Sequence, residues 1–186
     1  MRAGGSAHGL VILDRDGVIN CDSAAFVKTL DEWQPLPGSI EAIAALSKAG
    51  FTVAVASNQS GLARGLLDRK ALRAMHRKLR RLVASHGGRV DRIVVCPHGP
   101  DDGCRCRKPA PGLLERLARH YGRSLAGVPV IGDSLRDLEA AAAAGAMPIL
   151  VRTGNVTRTE AQLPDAFRNI SVYDDLAAVA TALCES

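Results

Sequence analysis

Asp14-Arg15-Asp16-Gly17 follows directly on an apolar run, Leu10 to Leu13. Aspartates at i and i+2 can share one Mg²⁺, the first through its carboxylate and the second through its backbone carbonyl. Gly17 lets the chain turn closely around such an ion. An ionised Asp14 can attack phosphorus once a cation screens the charge repulsion. Asp16 can then protonate the leaving oxygen and later deprotonate water. An ordinary Asp-Gly turn with two exposed carboxylates also suits this segment.

Three further polar segments extend the chemistry. Ser57-Asn58-Gln59-Ser60-Gly61 follows the apolar run Phe51 to Ala56 and offers hydroxyls, amides and backbone N–H groups to phosphate oxygens. Arg107-Lys108-Pro109 supplies two cations with no carboxylate beside them in sequence; lysine neutralises phosphate as a point charge and arginine as a bidentate fork. Gly132-Asp133-Ser134 leaves a fourth apolar run, where Asp133 can complete a magnesium site. Ser134 and Asp137 have capping-box spacing, so Asp137 either caps a helix or orients Lys108. A polar turn and solvated charges are the plain alternatives for these segments.

Cys96-Pro97-His98 and Cys104-Arg105-Cys106 place four soft ligands in one Gly- and Pro-rich loop. Cys96, His98, Cys104 and Cys106 can close a tetrahedral zinc site, and full protein coordination argues for a structural ion. The loop ends directly on Arg107 and Lys108, so fixing it would aim both cations. A flexible loop with free thiols is the alternative. Cys21 and Cys184 are left without a role.

The elements that must position these groups alternate. Leu10 to Leu13, Phe51 to Ala56, Ile93 to Val95, Val128 to Ile131 and Pro148 to Val151 have the pattern of buried strands. Between them, Ser39 to Ala49, Asp68 to His86, Pro111 to Tyr121 and Ser134 to Ala144 carry helical apolar spacing, and a last helix is expected over Asp174 to Leu183. Ser39 and Asp68 are candidate N-caps; Gly50, Gly87 and Gly145 are candidate helix stops. The pattern predicts a doubly wound, Rossmann-like α/β fold: a parallel sheet with helices on both faces, as one domain over residues 1–186. The polar segments then share the carboxyl edge of the sheet, where such folds bind ligands. The stretches 20–37 and 61–68 are too modest for a large cap domain.

Composition sets the class. The chain has 186 residues, 47% hydrophobic and 23% charged, with a net charge of +5. The longest nearly apolar stretch, Ala140 to Val151, is broken by Gly145 and Pro148 and falls short of the roughly 18 residues of a membrane span. The N-terminus does not read as a signal peptide, so a cytoplasmic location without membrane partners is expected. Much of the basic charge lies on one amphipathic helix after Arg64, which reads as a solvated face. With 3% aromatic residues there are few platforms for stacking bases, and a zinc-stabilised nucleic-acid module is the remote alternative. No heptad pattern or surplus apolar face is visible, so a monomer is expected.

The order Asp-x-Asp-Gly, Ser57, Lys108, Gly-Asp133 resembles the four motifs of the haloacid dehalogenase superfamily over nearly the whole chain. The resemblance implies Asp14 as nucleophile, Asp16 as general acid and base, Ser57 and Lys108 holding the phosphoryl group, and Asp14, Asp16 and Asp133 on Mg²⁺. Asp-Arg-Asp-Gly, Asn-Gln-Ser-Gly and the Cys-x-His…Cys-x-Cys-Arg-Lys-Pro loop are together similar to the branch that holds sugar-bisphosphate and histidinol-phosphate phosphatases. That branch implies a sugar bisphosphate substrate from lipopolysaccharide precursor synthesis, with histidinol phosphate as the alternative. It also implies substrate contacts at Arg15, Asp22, Asn58, Gln59, Ser60, Arg107, Lys108 and Ser134. Ser134 stands where some members carry lysine, Ser57 where threonine is frequent, and the zinc loop is short.

Overall fold

The computed structural model describes residues 9–23, 26–154, 159–160 and 163–185. Residues 1–8, part of the segment read above for a signal peptide, lie outside the described residues. Strand β1 (Leu10–Leu13) leads through helix α1 (Ser39–Lys48) to β2 (Thr52–Asn58). Helix α2 (Arg69–Ser85), β3 (Arg92–Cys96), α3 (Gly112–Tyr121), β4 (Pro129–Gly132), α4 (Leu135–Ala143) and β5 (Met147–Val151) follow. A short 3-10 helix (Asp165–Phe167), strand β6 (Ser171–Tyr173) and helix α5 (Leu176–Cys184) complete the described elements. The six strands form one sheet in the order β3-β2-β1-β4-β5-β6, and each pairing is parallel.

Strand alternation divides the core. Val11 and Leu13 point to one face with Val53, Val55, Ile131 and Ile149, covered by α1, α2 and α5. Leu10 and Ile12 point to the other with Ala54, Ala56 and Val130, covered by α3 and α4. A strand buried on both sides reads as a continuous apolar run, which is why β1 and β2 stand out in the sequence. On α2 the buried residues are Leu72, Met75, Leu79 and Val83, each worth about 1.5–3 kcal/mol when fully buried. Arg69, Lys70, Arg73, Arg77, Arg80 and Arg81 face outward, as the amphipathic pattern predicts.

Some local expectations are corrected. Asp68 does cap α2, accepting from the Ala71 N–H at 2.6 Å. Ser39 does not cap α1: Gly38 holds that position with φ of 74°, and the Ser39 hydroxyl donates to the Ile19 carbonyl at 2.7 Å. That bond ties α1 to the turn after Asp16. Strand β4 extends to Gly132, and β6 is a short strand that the sequence pattern does not announce.

Candidate active site

The strand order reverses between β1 and β4, so the crevice at the carboxyl edge opens between Asp14 and Asp133. The Asp14 N–H donates to the Ile131 carbonyl at 2.8 Å, which fixes the two strand ends side by side. A cavity of about 370 Å³ lies above them, with Asp14, Asp16, Asp133 and Lys108 among its lining and Arg64, Arg107 and Arg136 at its sides.

Lys108 is the electrostatic centre. Its side chain is 4% exposed, and Nζ lies 2.8 Å from Asp14 Oδ1, 2.5 Å from Asp137 Oδ1 and 2.8 Å from the Ala56 carbonyl. A buried cation needs such pairing to persist. Burial opposes the ammonium charge, but Asp137 and Asp14 raise its pKa above the ordinary lysine value. Burial pushes the Asp14 carboxyl up to about 8, helped by Asp137, Asp133 and Asp16 and opposed by Lys108. Asp137 serves both expected roles: it pairs with Lys108 and accepts from the Ser134 N–H and hydroxyl at the start of α4.

The donor set fits a hard cation. Carboxylate oxygens of Asp14, Asp133 and Asp137 lie within 4.8 Å of one another. Asp137 is already engaged by Lys108 and Ser134, which leaves Asp14 and Asp133 as the better carboxylate ligands. Gly17 and Gly154, at φ of 81° and 80°, both pack against the Asp133 carboxylate; a Cβ on either would overlap it. The Asp16 carboxylate faces away from this group. It accepts from Arg15 Nε at 3.0 Å and Nη2 at 2.8 Å, Asn20 Nδ2 at 2.8 Å and Gln59 Nε2 at 2.8 Å. That leaves its backbone carbonyl as the candidate ligand.

The cysteine loop is equally ordered. Sγ of Cys106 lies 3.2 Å from Sγ of Cys96, 3.6 Å from Sγ of Cys104 and 3.3 Å from Nδ1 of His98. Cys96 Sγ is 3.6 Å from both Cys104 Sγ and His98 Nδ1. Ligands about 2.0–2.3 Å from a tetrahedral centre sit roughly 3.4–3.8 Å apart, so the spacing suits zinc. No disulfide competes, since all five cysteines are free. Burial pushes the Cys96 thiol up to about 12. Burial also acts upward on Cys104, but the Arg107 N–H and the sulfurs of Cys106 and Cys96 bring it down to about 7.

A family model described as HAD-hydrolase-like matches residues 105–179, and one described as Polynucleotide kinase 3 phosphatase matches residues 10–134. Full-length relatives are closer in kind. The D-glycero-beta-D-manno-heptose-1,7-bisphosphate 7-phosphatase of Pseudomonas aeruginosa is 58% identical over 180 residues, covering 96% of this chain and 99% of that one. The enzyme of the same name from Bordetella bronchiseptica is 60% identical over 178 residues, covering 95% and 98%. The chain belongs to the heptose-bisphosphate phosphatase family of haloacid dehalogenase-like hydrolases. The crystal structure of D,D-heptose 1.7-bisphosphate phosphatase from B. bronchiseptica, complexed with magnesium and phosphate, matches with a TM-score of 0.92 at 58% identity, covering 96% of this chain and 99% of that one.

In this phosphatase the expected residues Asp14, Arg15, Asp16, Asp22, Asn58, Gln59, Ser60, Arg107, Lys108, Asp133 and Ser134 all line the cavity, whereas Ser57, 1% exposed, lies beneath its lining. Within that lining Arg15, Asn58 and Gln59, expected on the substrate, spend their side chains on protein atoms. Arg15 is 1% exposed and locked to Asp16 and Gln59. Asn58 clasps the Lys108 backbone, while Gln59 bridges Asp16 and Ser57. Thr153 and Gly154 escape the sequence reading, although they follow β5 at the same sheet edge. Thr153 donates to the Gly17 carbonyl at 2.6 Å. The rule that flagged Asp133, a polar residue after an apolar strand, would have found Thr153.

Proposed function

We propose that this chain is a magnesium-dependent D-glycero-β-D-manno-heptose 1,7-bisphosphate 7-phosphatase that works through a phosphoryl group carried on Asp14. The observation that carries the reading is the convergence of Asp14, Asp133 and Lys108 at the switch point of the sheet, in a chain 58% identical to such an enzyme across almost its whole length. Asp14, Asp133 and the Asp16 carbonyl would hold Mg²⁺, which supplies charge screening between the carboxylate and the phosphate oxygens.

The Asp14 carboxylate attacks phosphorus as the bond to the sugar oxygen breaks, and Asp16 gives that oxygen its proton. Water then attacks the phosphorus with Asp16 taking its proton, which frees Asp14 and releases inorganic phosphate. Lys108 neutralises the transferring phosphoryl oxygens. Ser57 Oγ accepts from Gln59 at 2.8 Å, which leaves its own proton as the donor to be offered to phosphate at the end of β2. Arg107, held by the His98 carbonyl at 3.2 Å, places a cation suited to the second phosphate of a bisphosphate. Asp22, Ser60 and Ser134 complete the sugar-facing wall.

Zinc on Cys96, His98, Cys104 and Cys106 would fix the loop that aims Arg107 and Lys108. The continuous sheet supports one domain over 1–186 with the zinc loop at 96–106. We infer a cytoplasmic monomer supplying lipopolysaccharide precursors, without nucleic-acid or membrane partners; no described helix is long and apolar enough to cross a membrane. The test is phosphate release from heptose 1,7-bisphosphate and histidinol phosphate, with and without Mg²⁺. Magnesium-dependent release chiefly from the bisphosphate is expected; preference for histidinol phosphate would overturn the substrate assignment.

A further inference from the structure

The insertion between β1 and α1 reaches the Asp16 carboxylate through two buried residues. Asn20 and Trp33 are both 0% exposed. Trp33 Nε1 donates to Asn20 Oδ1 at 2.9 Å. Asn20 Nδ2 in turn donates to Asp16 Oδ1 at 2.8 Å and to the Cys21 carbonyl at 2.9 Å. An indole N–H is a donor only, so it must face the amide oxygen. The orientation of Asn20 is thereby decided, and its NH₂ group is turned to two acceptors.

Trp33 is itself pinned from α2. Lys78 Nζ donates to the Trp33 carbonyl at 2.9 Å and the Leu30 carbonyl at 3.3 Å, and lies 5.3 Å from the centre of the indole ring. Two other side chains hold Asp16: Arg15, its neighbour in sequence, and Gln59, which also serves Ser57. Asn20 differs from both because it is oriented by a residue of the insertion, away from the cavity. Asp16 stays 20% exposed, so one side of its carboxylate remains open to the cavity.

We propose that Asn20, oriented by Trp33, is a positioning residue that holds the Asp16 carboxylate in line with the departing sugar oxygen. The proposal rests on the phosphatase reading above and adds a task for the insertion, which otherwise only walls the cavity. Proton transfer by a placed carboxyl contributes about 10²–10⁴-fold, and it matters most when the leaving group is a poor one.

The test compares kcat/KM, which reports events up to departure of the leaving group, on two esters. Heptose bisphosphate releases an alkoxide that needs its proton; p-nitrophenyl phosphate releases a phenolate that does not. Trp33→Phe keeps the packed ring and removes the N–H. It should lower kcat/KM on the bisphosphate by about tenfold and on the aryl ester by less than about twofold, and Asn20→Ala should show a larger gap of the same sign. In an Asp16→Ala background, Trp33→Phe should cost nothing further on either ester. Equal losses on both esters, or additive losses in that background, would overturn the positioning role and leave the phosphatase reading intact. Thermal melts identify a variant that fails to fold, and if Asn20→Ala does, Trp33→Phe decides. A wild type inactive on both esters would sink the phosphatase reading itself and this proposal with it.

Discussion

Asn58 and Lys108 clasp one another through both atoms of a side-chain amide: Asn58 Nδ2 donates to the Lys108 carbonyl at 3.0 Å, and the Lys108 N–H donates to Asn58 Oδ1 at 3.0 Å. The pair joins the end of β2 to the segment after the cysteine loop, so the buried ammonium is placed from its backbone as well as by Asp14 and Asp137. Asn58→Ala should therefore lower kcat on heptose bisphosphate by on the order of 10–100-fold, since small misplacements of a charge-neutralising group are costly. KM should change much less. Steady-state phosphate release checks the split, and a large rise in KM with unchanged kcat would contradict it.

Asp14→Asn should remove turnover by at least about a thousandfold, because the amide cannot form the phosphorylated intermediate. The fold should survive, since Lys108 keeps Asp137 and the Ala56 carbonyl as partners. Acid-quenched mass spectrometry during turnover should find one added phosphoryl group on wild type and none on the variant. Phosphorylated protein in the variant would move the nucleophile elsewhere.

How much of this site the sequence discloses depends on the range of each interaction. Asp14, Ser57 and Asp133 are legible because each ends a strand whose apolar run is visible locally, and a parallel sheet brings strand ends together. Lys108 is legible through its neighbours Cys106 and Arg107. The partners of Asp16 and of the Lys108 backbone are not, because Arg15, Gln59 and Asn58 resemble substrate contacts in sequence and only the packing shows their guanidinium and amides spent internally. Strand β6 escapes because one exposed and two half-buried residues carry no period. Gly154 escapes because its constraint comes from Asp133 and from Gly17, whose carbonyl is bound by a residue 136 positions away.

That constraint is testable. Gly154→Ala adds a Cβ that would overlap the Asp133 carboxylate, at a φ of 80° that alanine rarely adopts. Magnesium affinity should fall by about tenfold or more if Asp133 is displaced by a fraction of an ångström. Titration calorimetry measures the affinity directly. Unchanged affinity in a folded variant would remove Asp133 from the ion's ligands or show that the loop can move aside.

Magnesium binding should also release a proton. Burial pushes the Asp14 carboxyl up to about 8, so at neutral pH its proton competes with the metal, and a cation binds the ionised form. Affinity should rise with pH up to about 8 and level off above it. Calorimetry in buffers of different ionisation enthalpy counts the proton. A binding enthalpy that does not depend on the buffer would show that Asp14 is already ionised before the ion arrives.

The cysteine loop makes a separate claim, because its effect on catalysis is geometric. Cys106 is followed directly by Arg107 and Lys108, and the Gly112 N–H donates back to the Arg105 carbonyl at 3.1 Å. Without zinc, three thiols and an imidazole would be left 3.2–3.6 Å apart, and the closest thiols repel one another once ionised. Cys104→Ser should lower zinc content well below one per chain by elemental analysis. A loss of roughly 2–3 kcal/mol would lower Tm by about 5–10 °C in a chain of this size. Activity should fall with it, because the loop would no longer hold Arg107 against the His98 carbonyl. Zinc content equal to wild type would remove Cys104 from the ligand set. Full activity in a zinc-free protein would show that Asn58 and Asp137 alone suffice to place Lys108.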